Sequence, residues 1–352
     1  MEKGIVSMKR RDFMAKGATG ALGMGLAGCS AVRRRKVTLW KELAPFTPRP
    51  EGGMPMGEIG KTGIEVSKFG FGSHMRKDMV KYEKQRAYMI REAYDLGIRI
   101  FDVYDREQDC YQYEPMGRFL KPVINEVVIS IAILPYDDRN LEQEFERDLR
   151  AFGRDYIDMV RCHAYTTDDQ HWGFWDTLFK YKEEGKIRAV GVPIHDWENL
   201  DLVLREYPID YVIFPYNFYH NIGWLEERPD DFDTLPAKLR MKGIGVITMK
   251  PFAGDYLIKP LTDIARYFTS EPEVRLPQAA LRYVVNSGLN PDTTFCGMYN
   301  LSHVYENIAA YYDPQMSDEE HDLLDNVRQV AQISAKAWYP EHYRWLENWA
   351  PV

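Results

Sequence analysis

One repeating pattern limits the possible folds of this sequence more than any other feature. A short apolar run, a loop and a helical segment recur along the chain. The eight apolar runs span residues 69–72, 98–102, 127–133, 157–163, 187–192, 211–215, 245–249 and 293–297. Strands that alternate with helices predict a parallel sheet. Eight such units in roughly 250 residues favour a closed (β/α)8 TIM barrel over an open sheet. A Rossmann domain is disfavoured, because no G-x-G-x-x-G follows the first run.

The segments that flank the repeat predict two additions to the barrel. Apolar and polar residues alternate from 56 to 67 around Lys61-Thr62-Gly63, which predicts a β-hairpin. Residues 317–335 predict a helix with Ser317 as its cap, followed by an aromatic tail. We therefore divide the chain into a signal segment (1–29), a linker (30–55), a barrel (56–315) and a C-terminal helical extension (316–352).

Composition excludes several classes of partner. The 352 residues carry a formal net charge of -8. Because no basic patch follows the N-terminal segment, we expect no nucleic acid partner. No apolar run is long enough to span a bilayer. Of the four cysteines, Cys110, Cys162 and Cys296 have neither disulfide nor metal-site spacing, and we predict no metal site.

The first residues resemble an export signal. Lys9-Arg10-Arg11-Asp12-Phe13-Met14 is a twin-arginine pattern, and a weakly apolar run leads to Leu26-Ala27-Gly28-Cys29. The resemblance implies export by the Tat translocon and a lipid on Cys29, which would anchor the protein in the periplasm or cell envelope. The basic run 33–36 would then lie near anionic lipid. The alternative is a cytoplasmic protein with a flexible basic N-terminus.

Two polar residues end apolar runs where a barrel places its chemistry. Asp102 ends the second run, and His163 ends the fourth. Active sites of (β/α)8 barrels lie at the carboxyl ends of the strands. The alternative for Asp102 is a cap of the next helix or turn.

Eight motifs together resemble the aldo-keto reductase family, in the family's order. They are Gly60–Gly63, Gly97–Asp102, Gly117–Lys121, Asp155–Asp158, Gly185–Val192, Pro215–Asn217, Gly245–Pro251 and Glu306-Asn307. The resemblance implies a barrel that transfers hydride between a nicotinamide cofactor and a small carbonyl or alcohol substrate.

The resemblance also implies four catalytic residues, of which two match. Asp102 stands for the family's Asp, and His163 for the His that orients the substrate. The proton-donating Tyr is expected five residues after the Asp, where Glu107 stands. The Lys that lowers the pKa of that Tyr is expected where Ala132 stands. A phenol needs such a cation to work as an acid–base group at neutral pH.

The loop after Asp102 offers several substitutes. Tyr104 or Tyr111 would supply a displaced phenol, and Glu107 would itself be an acid–base group if burial raised its pKa. Arg106 would supply the missing charge but cannot exchange protons at neutral pH. The alternative is that these residues are solvent-exposed loop residues without a catalytic role.

Cofactor contacts follow from the resemblance in the same way. Met249 matches a residue that packs on the nicotinamide ring, although it is equally typical of a barrel layer. Lys250, Phe252 and Gly254 match pyrophosphate contacts, and Asn307 matches an adenine contact. Members selective for NADP place Lys or Arg after the eighth strand, where this chain has Gly297, so the choice between NADP and NAD stays open.

The family's polar contacts to the nicotinamide carboxamide are replaced here by Pro193-Ile194 and Ile213. Two hypotheses therefore remain. The first is an oxidoreductase of aldo-keto reductase type with a remodelled active site. The second is a catalytically inactive, envelope-anchored barrel that binds a small polar ligand. Aromatic residues would contact that ligand, namely Trp172, Phe174, Trp175 and Trp224.

Overall fold

The structure is a computed structural model. It describes residues 53–73, 83–103, 112–133, 141–162, 169–193, 203–218, 235–252, 261–263, 265, 267–269 and 275–338. The predicted signal segment and nearly all of the predicted linker lie outside these residues, so the domain division 1–29, 30–55, 56–315 and 316–352 stays a prediction.

Eight parallel strands close into a barrel. They are β3 (Phe69–Gly72), β4 (Ile100–Val103), β5 (Val128–Ile133), β6 (Ile157–Cys162), β7 (Ile187–Pro193), β8 (Tyr211–Pro215), β9 (Gly245–Met249) and β10 (Thr293–Gly297). Each strand pairs with the next in sequence, and β10 pairs with β3. The predicted (β/α)8 TIM barrel is confirmed.

Helices connect the strands on the outside of the barrel. Those with defined bounds are α1 (Glu83–Asp95), α2 (Tyr113–Leu120), α3 (Leu141–Phe152), α4 (Asp169–Glu183), α5 (Leu235–Met241), α6 (Leu276–Val285) and α7 (Leu301–Tyr312). A 3-10 helix, Lys121–Glu126, leads into β5. In the described part of the chain, no helix is long and apolar enough to cross a membrane.

Four predicted strands, 69–72, 211–215, 245–249 and 293–297, coincide with the observed ones. The second strand begins at Ile100 rather than at residue 98, because Gly97 and Ile98 form the C-terminal cap of α1. Gly97 has a φ of 102°, and the Ile98 N–H donates to the Ala93 carbonyl at 3.0 Å. This pattern ends the helix with a glycine in the left-handed region.

The predicted hairpin consists of β1 (Met56–Glu58) and β2 (Glu65–Ser67), which pair antiparallel. Ile59 and Ile64 pack into the barrel core. The Gly60 N–H donates to Asp292 Oδ2 at 3.0 Å, and that oxygen also accepts from the Val246 N–H at 2.9 Å. Burial raises the pKa of Asp292, and the two backbone bonds oppose this. The hairpin therefore covers the amino-terminal end of the barrel.

The predicted C-terminal helix is present as α8 (Asp318–Trp338). The Glu320 N–H donates to Ser317 Oγ at 3.2 Å, and the Ser317 N–H donates to Glu320 Oε2 at 3.3 Å. This reciprocal pair is a capping box. Glu320 also binds the buried Arg282 of α6, which donates to the Asp313 carbonyl at 2.7 Å. The helix is thereby fixed to the barrel, and the aromatic tail 339–352 lies outside the described residues.

The close approach of α2 and α3 generates a stability prediction. A Cβ at Gly117 would lie 1.9 Å from the Ala151 carbonyl oxygen, so Gly117→Ala must push the helices apart. We expect the free energy of unfolding to fall by about 1–3 kcal/mol, the usual cost of overpacking. Urea unfolding measures the change.

Gly173 of α4 provides the matched control. It is exposed, and a Cβ there would meet nothing within 4 Å. Gly173→Ala should stabilise the protein by about 0.5–1 kcal/mol, because alanine restricts the unfolded chain. Equal stability of the two variants would contradict the close approach.

Candidate active site

Asp102 lies near the carboxyl end of β4. Its register partners are Gly72 of β3 and Ser130 of β5. Its carbonyl oxygen accepts two bonds from Ser73, one from the N–H at 2.9 Å and one from Oγ at 2.7 Å. The backbone around Asp102 is therefore held by the loop after β3 as well as by its own sheet.

The Asp102 carboxylate is bound by side chains from two further strands. Ser130 Oγ donates to Oδ1 at 2.8 Å. Arg161 of β6 reaches Oδ1 with Nη1 and Oδ2 with Nη2 at 3.1 Å. Arg161 Nη1 also donates to Ser130 Oγ at 3.2 Å. The Arg161 and Asp102 side chains are 5% and 9% exposed, so this is a buried bidentate ion pair.

Small residues flank Arg161 on both neighbouring strands. Its register partners are Ala132 on β5 and Gly191 on β7. The guanidinium crosses β5 to reach Asp102, and a large side chain at 132 would occupy that path. Ala132 is also the position where the family resemblance implies a lysine, so the cation that pairs with Asp102 comes from the adjacent strand.

Sequence reasoning missed Arg161. A signal was present, since Arg161 and His163 both fall in the apolar run 157–163 and residues two apart in a predicted strand share a face. The substitute considered from the sequence, Arg106, lies outside the described residues.

Tyr211 of β8 is a second residue of the site that sequence reasoning missed. It is fully buried inside the barrel, and a Cβ at Gly191 would lie 2.3 Å from its ring. Burial raises the pKa of Tyr211, the Arg161 charge opposes this, and the Asp102 charge adds to it. The phenol therefore lies in the electrostatic field of the ion pair.

The rest of the barrel interior is apolar. Its core includes Ile100, Val128, Met159, Ala189, Ile213, Ile247 and Phe295. The ion pair thus lies next to an apolar core. Among the described residues, no group of three or more His, Cys, Asp and Glu side chains is placed to hold a metal ion.

Several predicted site residues lie outside the described residues. They are Tyr104, Glu107, Tyr111, His163 and Gly254. β6 ends at Cys162, directly before His163. The roles assigned to these five residues from the sequence stay predictions.

The predicted cofactor contacts on β9 lie at the carboxyl end of the barrel. Met249 is partly buried against the core, and its carbonyl accepts from the Tyr216 N–H at 3.0 Å. Lys250 has a φ of 54°, a left-handed conformation that is uncommon for a residue with a side chain. The buried Asn217 supports it by donating to its carbonyl at 3.3 Å. Phe252 is partly buried just beyond.

The predicted contacts after β10 divide between the rim and the interior. Gly297 is exposed, and the nearest atom to a Cβ there would be Tyr299 Oη at 3.8 Å. Asn307 of α7 is buried, and its Nδ2 donates to Cys296 Sγ at 3.3 Å. The Asn307 amide therefore contacts the barrel wall, while Gly297 borders open space.

The described part of the carboxamide region is apolar. Pro193 is buried, Ile213 is 1% exposed, and neither side chain can donate a hydrogen bond. Trp175, one of the aromatic residues suggested as ligand contacts, is 1% exposed and stacks on Tyr207 with ring centroids 5.7 Å apart. It is a packing residue of α4.

A family model described as the aldo/keto reductase family matches residues 68–329. An uncharacterized oxidoreductase of Schizosaccharomyces pombe is 24% identical over 312 residues, covering 85% of this chain and 99% of that protein. The glyoxal reductase of Bacillus subtilis is 23% identical over 281 residues, covering 77% of this chain and 92% of that protein.

Solved structures share the fold. An aldo-keto reductase of Bacillus halodurans in its holo form superposes with a TM-score of 0.61 at 19% identity, covering 78% of this chain and 96% of that one. An aldo-keto reductase of Klebsiella pneumoniae in complex with NADPH gives 0.60 at 21% identity, covering 78% and 95%.

The buried ion pair generates a second stability prediction. Arg161→Met leaves the Asp102 carboxylate buried without its cation, and we expect a loss of about 3–5 kcal/mol. Adding Asp102→Leu removes the stranded charge, so the double variant should be more stable than Arg161→Met alone. A double-mutant cycle by urea unfolding measures this coupling.

The exposed pair Arg150–Glu146, 3.6 Å apart, is the control for that cycle. Exposed pairs contribute little because water screens them, so Arg150→Met and Glu146→Leu should show no measurable coupling. Simple additivity of the Asp102 and Arg161 variants would contradict the pairing.

Proposed function

The chain belongs to the aldo/keto reductase family, and we propose that it is an NAD(P)-dependent oxidoreductase that reduces a small carbonyl compound through a remodelled active site. The observation that carries this proposal is the buried Asp102 at the carboxyl end of β4, bound by Ser130 and Arg161. A barrel gains little stability from a buried ion pair compared with apolar side chains. A charged group retained at the catalytic end of the barrel is therefore better explained by chemistry.

The rim residues fit a nicotinamide dinucleotide. Gly297 leaves space that a Cβ would fill, and Met249 exposes part of its side chain above the core. We assign the ring to Met249, the pyrophosphate to Lys250, Phe252 and Gly254, and the rest of the nucleotide to Gly297 and Asn307. The reduced cofactor, NADPH or NADH, would supply the hydride when bound. Pro193 and Ile213 leave the ring to be held largely by apolar contacts.

The chain's own side chains then have to orient the carbonyl and supply a proton to its oxygen. His163 would orient the substrate. Tyr104, Tyr111 and Glu107 are the candidate proton donors, all on the loop that follows Asp102. A donor from this loop works best if its pKa is brought near the operating pH.

The relatives support a reactive carbonyl as the substrate. The matching Bacillus subtilis protein is a glyoxal reductase. A protein of Yersinia pestis that is 28% identical over only 110 residues, 29% of this chain and 38% of that protein, is a methylglyoxal reductase. We therefore choose 2-oxoaldehydes as the first substrates to test, followed by sugar-like aldehydes.

The first test titrates the full chain with NADPH and NADH separately, followed by protein and nicotinamide fluorescence. Consumption of reduced nicotinamide is then measured with each aldehyde. Asp102→Asn should lower kcat/KM by about 10²-fold or more, because it removes a fixed charge from the site.

Asp210→Asn is the matched control. Asp210 binds Lys182 of the outer helix α4 at 2.6 Å and the Val190 N–H at 2.7 Å, directly before the amino-terminal end of β8. Turnover per folded molecule should be unchanged. Failure to bind either cofactor would overturn the reductase proposal.

One observation favours the second candidate, a barrel that binds a small polar ligand without turning it over. Ala132 stands where the family resemblance implies the catalytic lysine. Binding of a sugar-like ligand, with no turnover of any carbonyl tested, would establish this alternative. Turnover that Asp102→Asn abolishes would exclude it.

We also propose that the chain is exported through the Tat translocon and anchored by a lipid on Cys29. The support is the twin-arginine pattern at Arg10-Arg11 and the Leu26–Cys29 lipobox. Replacing both arginines with lysine should retain the precursor in the cytoplasm. Cys29→Ala should abolish fatty-acid labelling and release the exported protein from membranes, as measured by cell fractionation. Unchanged fractionation of both variants would contradict the proposal.

A further inference from the structure

Arg161, the cation that pairs with Asp102, lies two strands away from it. Asp102 lies on β4, while Arg161 lies on β6, so the ion pair bridges the strand between them. Ser130 stands on that intervening strand and bonds to both partners, donating to Asp102 at 2.8 Å and accepting from Arg161 at 3.2 Å. Three strands thus contribute to one cluster.

Stability alone does not account for this arrangement. The interior next to the cluster is apolar, with Ile100, Val128 and Met159 on the same three strands. Apolar side chains in place of Asp102 and Arg161 would avoid the cost of desolvating two charges. Proteins with such apolar replacements are often as stable as those with a buried ion pair, or more stable. The cluster lies at the carboxyl end of the strands, where barrels of this type carry out chemistry.

We propose that Arg161 is the positioning residue that supplies the fixed positive charge of this active site, taking over from the lysine missing at position 132. The inference rests on the proposed carbonyl reduction. Two guanidinium N–H groups hold both carboxylate oxygens of Asp102, which fixes its orientation. Because a guanidinium does not deprotonate at working pH, this charge is constant.

The strand register explains how a cation at position 161 can serve the same carboxylate as one at position 132 within the same barrel. Ala132 and Arg161 are register partners on neighbouring strands. A side chain starting from either position enters the same part of the interior, where Asp102 is the acceptor. The titratable groups that interact with Arg161 include Asp102 from β4 and Tyr211 from β8. Burial raises the pKa of Tyr211, and the Arg161 charge opposes part of that rise.

The test removes the charge and then returns it from the other strand. Arg161→Gln keeps hydrogen-bonding groups but not the charge, and should lower kcat by about 10²-fold with KM much less affected. The dissociation constant of NADPH or NADH, read by protein fluorescence, should stay within about twofold, since only the catalytic charge is lost. Arg161→Met with Ala132→Lys should recover at least about tenfold in kcat relative to Arg161→Met alone.

The pH profile separates a charge from a structural role. In Arg161→Lys and in the variant with Ala132→Lys, the cation is an amine whose pKa burial lowers. The alkaline fall of kcat/KM should therefore begin at lower pH than in the wild-type protein. A side chain that only filled space would leave the profile in place.

Arg188→Gln is the matched control. Arg188 also donates to a buried carboxylate, Asp158, at 2.7 Å, but is itself 42% exposed on the outside of the barrel. Its kcat and pH profile should equal those of the wild-type protein, and thermal unfolding shows which variants are folded.

Two outcomes overturn the inference. Wild-type kcat in folded Arg161→Gln would do so directly. Loss of kcat in Arg161→Gln with no recovery from Ala132→Lys and an unshifted profile in Arg161→Lys would reduce Arg161 to a structural role. Absence of turnover in the wild-type protein would instead overturn the proposed function together with this inference.

Discussion

The bidentate ion pair between Arg161 and Asp102 organises the catalytic end of this barrel. Each charge is nearly removed from water, with side chains 5% and 9% exposed, and each would be costly without the other. Ser130 bonds to both partners, donating to Asp102 and accepting from Arg161. The small Ala132 beside Arg161 leaves open the path from β6 to Asp102. The choice of residues on three strands, β4, β5 and β6, therefore follows from one buried contact.

The opposite end of the barrel is closed by a different kind of contact. The β1–β2 hairpin inserts Ile59 and Ile64 into the core, while one carboxylate oxygen of Asp292 binds the Gly60 and Val246 backbones. These bonds satisfy N–H groups that would otherwise be buried without acceptors. With one end covered and the wall closed by parallel pairing, the carboxyl end is where a ligand would enter. This agrees with the placement of Asp102 and Gly297.

The sequence predicted the fold well, because alternating apolar runs and helices leave few alternatives to a barrel. Strands 69–72, 211–215, 245–249 and 293–297 were placed to the residue, and the cap of α8 at Ser317 was identified from its side chain. The site was predicted less completely. Asp102 was visible because it ends an apolar run in a known motif. Arg161 was not identified, since its partner is 59 residues away and only the barrel's closure brings the two together. Tyr211 was not identified either, because in the sequence it looks like an ordinary core residue of a strand.

The use of an arginine as the partner of Asp102 has a physical consequence for the proposed chemistry. A lysine is a compact charge with a pKa that burial shifts readily, whereas a guanidinium is planar, always charged and suited to bidentate binding. Arg161 therefore spends two donors on Asp102 and one on Ser130, and holds the carboxylate more rigidly than an ammonium group would. Such a charge does not titrate near neutral pH. In the proposed carbonyl reduction the proton would come from a separate group, for which the sequence offers Tyr104, Glu107 and Tyr111 on the loop after Asp102 as candidates.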